Sequence, residues 1–316
     1  MRKNIKHFVI LTALAAGTVH VVNRFIDASA ELKNILKAES GNEFNWKNGK
    51  IFYTKHGKGS PLLLIHDLTP HSSSYEWSKI IKKLEKNHTV YTIDLLGCGR
   101  SDKPFLTYTS YLYVQLITDF INQVIGEKTD VIATGDSTGF AILASNMTKD
   151  IIGKIIAINP PSVNSFEIPH DKAAALKKAL LEIPIVGTLI YNVKVSNSYL
   201  TRYFSDEYYY KPQLVPTKLM DAYYESAHMK GSSGKYLQAS IEGSYTKNSI
   251  KHALEGMASP LYIIQSRYGC NFVSRVDSYT HINNNIEVTY ISNAKKLAHL
   301  EVPDKVYNII KMFLED

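Results

Sequence analysis

The sequence predicts an α/β fold: a mostly parallel sheet with helices on both faces and a helical cap inserted late in the chain. Three observations carry this expectation. From about residue 44 onward, apolar runs of four to six residues alternate with helix-length amphipathic stretches. The runs are nearly continuous in Val, Ile and Leu, as in strands buried on both faces of a parallel sheet. Between Pro161 and Ser259 the alternation stops: no strand pattern is visible, tyrosine becomes dense, and helices alternate with Gly/Pro breaks.

The elements follow in order. Phe44–Trp46 and Lys50–Tyr53 form a hairpin around Asn48-Gly49. Pro61–Ile65 is a buried strand, Tyr75–Leu84 an amphipathic helix, Thr89–Ile93 the next strand, and about Tyr111–Ile125 a long helix. The strand Asp130–Ala133 runs into Gly135-Asp136-Ser137-Thr138-Gly139 and a helix of small residues. Lys154–Ile158 is a strand ending at Asn159-Pro160-Pro161. After the insertion come the strands Leu261–Ile264 and Ile286–Tyr290 and a terminal helix, Pro303–Leu314. The division is therefore a leader segment at 1–30, a polar helical stalk at 31–43, a core at 44–160 and 260–316, and a helical cap at 161–259. Such a cap covers the carboxyl ends of the strands, where open α/β sheets bind ligands.

Composition excludes several classes. The 316 residues are 45% hydrophobic, 21% charged and 11% aromatic, which excludes long disorder and collagen-like sequence. The two cysteines, Cys98 and Cys270, form neither a disulfide framework nor a metal-ligand spacing. Of the net charge of +7, ten Lys/Arg and four Asp/Glu lie in residues 1–58, leaving the remaining 258 residues at +1. A folded body so nearly neutral is not a nucleic-acid-binding surface. No metal-ligand cluster and no phosphate-cradling glycine loop is present, so no cofactor is expected.

Arg2, Lys3 and Lys6 precede an apolar run of fifteen residues, Phe8–Val22. That is shorter than the roughly 20 residues of a full span. Ala28-Ser29-Ala30 has the small-x-small pattern of a signal-peptidase site. Three readings stay open: an uncleaved anchor completed by Phe25 and Ile26, a cleaved export signal, and an amphipathic helix. In the first two the basic head stays cytoplasmic and the body lies outside.

The chemistry centres on Gly135–Gly139, a G-x-S-x-G pattern between an apolar strand and a small-residue helix. Strand, tight turn and helix in this order expose a strained serine hydroxyl above a sheet. Three further matches accompany it in order: His66-Asp67 with Trp77, then Asp94-Leu-Leu-Gly97-x-Gly99-x-Ser101-x-x-Pro104, then His299-Leu-Glu-x-Pro303. On these four motifs, spanning about residues 44–316, the chain resembles the α/β-hydrolase superfamily. The branch is the cap-bearing one, with esterases, C–C bond hydrolases, haloperoxidase-like proteins, epoxide hydrolases and dehalogenases.

The resemblance implies roles. Ser137 matches the nucleophile and His299 the general base. The backbone N–H groups of Leu68 and Thr138 match the oxyanion hole that stabilises a tetrahedral intermediate. A serine needs an imidazole to take its proton near neutral pH, so the chemistry agrees. His66 is structural in this fold; His71, His170 and His228 receive no role. Two departures stand out. Asp67 replaces the family glycine, so its carboxylate either disturbs the oxyanion or points away. Gly269 falls where the triad acid belongs, leaving Asp277 as a distant carboxylate and Asn159 or Asn271 as groups that could orient the imidazole; Glu167 lies further on.

A serine at the elbow favours acyl chemistry over the Asp-nucleophile mechanism, for which Asp136 points the wrong way. The expected function is a serine hydrolase cleaving a small ester or other acyl substrate, without cofactor. The alternative is a catalytically weak or inactive member of the fold that binds a small ligand or partner under its cap.

Overall fold

Eight strands form one sheet in the order β1-β2-β4-β3-β5-β6-β7-β8. They are β1 (Asn42–Trp46), β2 (Gly49–His56), β3 (Ser60–Ile65), β4 (His88–Ile93), β5 (Thr129–Thr134), β6 (Ile152–Ile158), β7 (Leu261–Ser266) and β8 (Glu287–Ile291). The structure, a computed structural model of the chain, describes residues 17–37 and 40–315. β1 and β2 pair antiparallel, β2 pairs antiparallel with β4, and every other pairing is parallel. This is the predicted mostly parallel sheet.

The alternation of side chains along each strand divides the core into two layers. On β3, Leu63 and Ile65 face a layer built with Tyr113, Ile117 and Phe140. Leu62 and Leu64 face the opposite layer with Trp77, Ile80, Val306, Ile310 and Phe313. The helices Ser110–Phe120 and Ser137–Met147 cover the first face, and Pro303–Glu315 the second. Both faces are covered by packed apolar side chains, which is why the strands read as unbroken apolar runs.

Three predicted elements differ in detail. Tyr75–Leu84 is two pieces, a 3-10 turn at Ser74–Trp77 and a short helix at Ile81–Leu84. The break lets Glu76 and Trp77 both be buried at the end of the sheet. The long helix is α-helical over Ser110–Phe120, then widens to a π-turn over Ile121–Ile125 before Gly126 closes it at φ 80°. The stalk is not a free helix. After a 3-10 turn at Glu31–Lys33 the chain packs on the cap, with Leu36 buried and the N–H groups of Ile35 and Leu36 donating to Glu225 Oε2.

The insertion between β6 and β7 is helical throughout its described length, chiefly Lys172–Glu182, Val186–Lys194, Asn197–Tyr203, Thr217–His228 and Lys235–Glu242. Its tyrosines divide between core and surface: Tyr191, Tyr208 and Tyr223 are cap core, and Tyr199 and Tyr210 are exposed. Residues 17–30 form a helix against this cap. Asn23 bonds with Asn192 and Asp27 accepts from Ser232. Among the described residues no helix is long and apolar enough to cross a membrane. Most of the apolar run Phe8–Val22, with the basic residues before it, lies outside the described residues.

The Asp94 motif is a buried latch between β4 and the loop after β3. Its Oδ1 accepts from the Ser74 N–H at 2.7 Å, and its Oδ2 accepts from the backbone N–H and Nε of Arg100, both at 2.8 Å. Gly99 turns at φ 47° with its Cα against this carboxylate, so any side chain there would overlap it. Burial alone would raise the Asp94 pKa, but the Arg100 guanidinium reverses this and holds the carboxyl well below the usual range. Removing one partner of such a pair costs about 3–5 kcal/mol, and Asp94→Ala is expected to lose that much in urea unfolding. Because the folded pKa is depressed, the contribution is complete above the unfolded pKa of about 4 and fades as pH falls below it. The gap between wild type and Asp94→Asn therefore narrows in acid; a gap independent of pH would contradict the assignment.

Candidate active site

The carboxyl ends of β3, β5, β6 and β7 and the loop after β8 converge beneath the cap. β5 ends at Thr134, and the turn into the helix Ser137–Met147 is made at Gly135, which has φ 54°. This is the sharp left-handed apex where the nucleophile of an elbow stands. Ser137 lies two residues later, in the first helical turn, fully buried, with its Oγ donating to the His66 carbonyl at 2.6 Å. The predicted position of the serine is thus corrected: the apex residue is Gly135, and the small residues of the pattern serve the turn and the helix packing. Gly139 packs against the Phe166 ring, with no room for a side chain.

Asp67 fills the space above the apex. Its Oδ1 accepts from the N–H groups of Leu68 and Asp136, each at 2.9 Å. Leu68 was expected to be one oxyanion donor, and it is an N–H pointing at this position. Thr138 is not the second, because its N–H bonds back to the Gly135 carbonyl at 3.2 Å. The second N–H on this oxygen is that of Asp136, the residue after Gly135. A side-chain oxygen of the protein therefore occupies the concavity made by these two amides. A Cβ on Gly135 would overlap this same carboxylate.

The other oxygen of Asp67 pairs with Lys296 Nζ at 2.6 Å. Burial would raise the Asp67 pKa; the Lys296 ammonium and the two backbone amides more than reverse this and hold it below the usual range. Burial would likewise lower the Lys296 pKa, but the Asp67 charge raises it instead. Asn159, at φ 49°, donates to the carbonyls of Lys295 and Lys296 at 2.9 and 3.1 Å and accepts from the Ser266 N–H. It positions the lysine loop rather than the imidazole of His299.

His299 is fully buried on the short helix Ala298–Glu301, its ring 4.7 Å from that of Trp77. Neither ring nitrogen has a hydrogen-bond partner among the described residues, so Ser137 and His299 do not form a dyad here. Burial lowers its pKa to about 3, leaving a neutral imidazole. The nearest carboxylate is Glu76, 4.0 Å from Nε2, and not the residues named from sequence. Asp277 is half-buried on the helix Phe272–Thr280 and Asn271 directly precedes that helix; neither bonds to His299. Glu167 pairs with Lys251 at the surface.

The remaining histidines have local partners. His66 Nδ1 bonds the Asp67 carbonyl and its Nε2 accepts from the Leu95 N–H, so it is structural as expected. His71 bonds Tyr208, His170 bonds Tyr245, and His228 bonds the Tyr224 carbonyl. Asp136, at the start of the helix, is ion-paired with Lys247 at 2.8 Å.

A cavity of about 430 Å³ opens beside this centre, lined by Gly135, Asn159, Ser266, Tyr268, Arg275 and Lys296 among others. A second, of about 200 Å³, reaches Asp67 and Lys296 from the cap side past His71 and Tyr203. No cluster of His, Cys, Asp or Glu among the described residues could hold a metal ion.

Glu76, Lys296 and the apex role of Gly135 were not foreseen from sequence. Glu76 is fully buried, accepts from the Tyr223 hydroxyl at 2.9 Å, and is pushed up to about 7 by burial and then by the nearby Asp67 charge. Its folded pKa exceeds its unfolded one, so the unfolded chain releases this proton first as pH rises. Stability is therefore lost between about pH 4.5 and 7, by up to about 3 kcal/mol. Glu76→Gln is expected to unfold at higher temperature than wild type at pH 8 and to show no such advantage below pH 4. An equal offset at both pH values would exclude the shift.

Residues 62–308 match the sequence model of the Alpha/beta hydrolase family. Among curated relatives, a haloalkane dehalogenase of Agrobacterium fabrum is 23% identical over 49% of this chain and 50% of its own length. A 2-hydroxy-6-oxo-6-(2'-aminophenyl)hexa-2,4-dienoic acid hydrolase of Metapseudomonas resinovorans is 30% identical over 40% of this chain and 49% of its own. An uncharacterized protein of Mycobacterium tuberculosis is 26% identical over 41% of this chain and 39% of its own. The chain thus spans half or less of the length of these relatives. Among solved structures, the epoxide hydrolase CorEH superposes with a TM-score of 0.71 at 19% identity, over 87% of this chain and 98% of its own. A membrane phospholipase A superposes with a TM-score of 0.69 at 18% identity, over 100% of this chain and 98% of its own. At such identities the structures show a shared fold, and the family match over most of the chain says more: this chain belongs to the alpha/beta hydrolase family, in its cap-bearing branch.

Proposed function

We propose that the chain binds a small polar ligand in the cavity beneath its cap without forming an acyl-enzyme. The observation that carries this reading is the Asp67 carboxylate, which accepts from both Leu68 and Asp136 N–H groups where an oxyanion would sit. An anion developing about 3 Å from that carboxylate would be disfavoured by about 5 kcal/mol at an effective dielectric of about 20. The elbow apex carries no nucleophile, since Gly135 stands there. A neutral imidazole with a pKa of about 3 is a poor proton acceptor near neutral pH.

The cavity has the size of small-molecule sites. Its lining is mostly hydroxyl, amide and cation, from Ser162, Ser266, Tyr268, Asn271, Arg275 and Lys296, with the carboxylates of Asp136 and Glu207 beside them. The Arg275 guanidinium forms no ion pair among the described residues, which favours a ligand bearing a carboxylate or phosphate group. Gln265, also in the lining, has a buried carbonyl oxygen without a partner among the described residues, which suits a ligand hydroxyl or amide.

The other reading is ester or acyl cleavage, with Ser137 as nucleophile and His299 as base. It is favoured by the hydrolase relatives and by the order of the motifs. A fluorophosphonate probe separates the two. The wild-type chain is expected to stay unlabelled at pH 7–8 while folded by circular dichroism. The double variant Asp67→Gly/Gly135→Ser, which empties the amide pair and places a hydroxyl at the apex, is expected to gain labelling. Gly135→Ser alone gains none, because its Cβ meets Asp67. Wild-type labelling that Ser137→Ala abolishes would overturn the binding reading in favour of hydrolysis.

A further inference from the structure

The helix at residues 17–30 has two unlike sides. Its inner seam, Asn23, Asp27 and Ala30, is tied into the cap by the Asn23–Asn192 and Asp27–Ser232 hydrogen bonds. Its outer side presents Val21, Val22 and Phe25, the last 74% exposed. The Asn23 amide also reaches the Ile185 carbonyl, so the helix lies against the connection between the cap helices Lys172–Glu182 and Val186–Lys194. That helical hairpin is apolar on its outside as well: Leu176, Leu180, Val186 and Val193 are all exposed. Large aliphatic side chains on adjoining elements are far from the scattered single exposures of an ordinary soluble surface.

We propose that this face, the outer side of helix 17–30 with the hairpin 172–194, rests on a lipid bilayer. The occupant follows from where the chain leads. Helix 17–30 carries the last six residues of the apolar run Phe8–Val22, itself preceded in sequence by Arg2, Lys3 and Lys6, so the described end of the most apolar stretch of the sequence lies on this face. The charges agree. Lys172 and Lys177 are exposed on the hairpin and form no ion pair among the described residues, as suits anionic headgroups. An aliphatic face flanked by lysines is the composition of an interfacial helix. The hairpin also borders the smaller cavity, through Lys194 and Val195, so the bilayer would lie beside one approach to Asp67. Cleavage after Ala30 would remove both cap-binding side chains, Asn23 and Asp27; the proposal therefore requires an uncleaved segment.

The test uses the full chain in vesicles of phosphatidylcholine and phosphatidylglycerol. Cys270 is replaced by Ser, and Cys98 is buried with its thiol pKa pushed up, so it does not react. An environment-sensitive fluorophore is placed in turn at Leu180→Cys, Val193→Cys and, on the terminal helix, Met312→Cys. The expected result is a blue shift and quenching by nitroxide-labelled lipid at 180 and 193, with neither at 312. Emission at 180 and 193 that stays water-like in the presence of vesicles overturns the proposal, whether or not the chain is held by its N-terminus. A blue shift that grows with protein concentration before any lipid is added also overturns it, and assigns the face to a second copy of the chain.

Discussion

The site is organised around one carboxylate. Asp67 sits at the end of β3 with one oxygen on the amides of Leu68 and Asp136 and the other on Lys296. A buried charge is tolerated only when its lone pairs are satisfied and a counter-charge is near, and each surrounding feature meets part of that requirement. Gly135 is without a side chain because any Cβ would displace the carboxylate. Asn159 adopts a left-handed backbone and holds the carbonyls of Lys295 and Lys296, which fixes the ammonium opposite Asp67. Glu76, nearby and buried, takes a raised pKa, so that the centre need not carry two anions. The departures from the hydrolase pattern are thus mutually consistent: the substitution of Asp for Gly beside the oxyanion loop and the glycine at the elbow apex form one arrangement.

The fold was legible because periodicity reports burial directly. β3, β5 and β6 are apolar on both faces, and only a sheet covered on both sides explains such runs. The site was legible in part. Asp67 stood out as a charge in the place of a glycine, and the Leu68 N–H named from sequence donates to that carboxylate. The elbow was misplaced by two residues because G-x-S-x-G specifies small residues around a turn without saying which of them takes the positive φ. Ala133, Gly135 and Ser137 are all small, so a small-x-small-x-small spacing fits two registers, and only the backbone distinguishes them. Lys296 gave no local signal, since its partner lies more than two hundred residues earlier in the chain. Glu76 looked like a surface residue of an amphipathic helix; the break after Trp77 turns it inward.

The N-terminal residues follow the same logic of partners over local pattern. As a sequence, 31–43 is polar and reads as a spacer. In the fold, Glu225 supplies a carboxylate to the backbone amides of Ile35 and Leu36, and Lys33 pairs with Asp221 at 2.5 Å, so the segment is drawn onto the cap. The cap, this segment and the helix before it are therefore connected, and the apolar exterior they share is a property of the assembly rather than of any one helix.

The central claim is that the Asp67 carboxylate, ionised and paired with Lys296, occupies the amide pair of Leu68 and Asp136. Amide proton and nitrogen shifts of these two residues, followed by NMR from pH 8 downward, test it most directly. Both amides are expected downfield, and both should move together in a single step below the ordinary carboxylate range, with Asp67→Asn removing the step. Upfield, solvent-exchanging amides at neutral pH, or a step at the pKa of an unperturbed aspartate, would contradict the account.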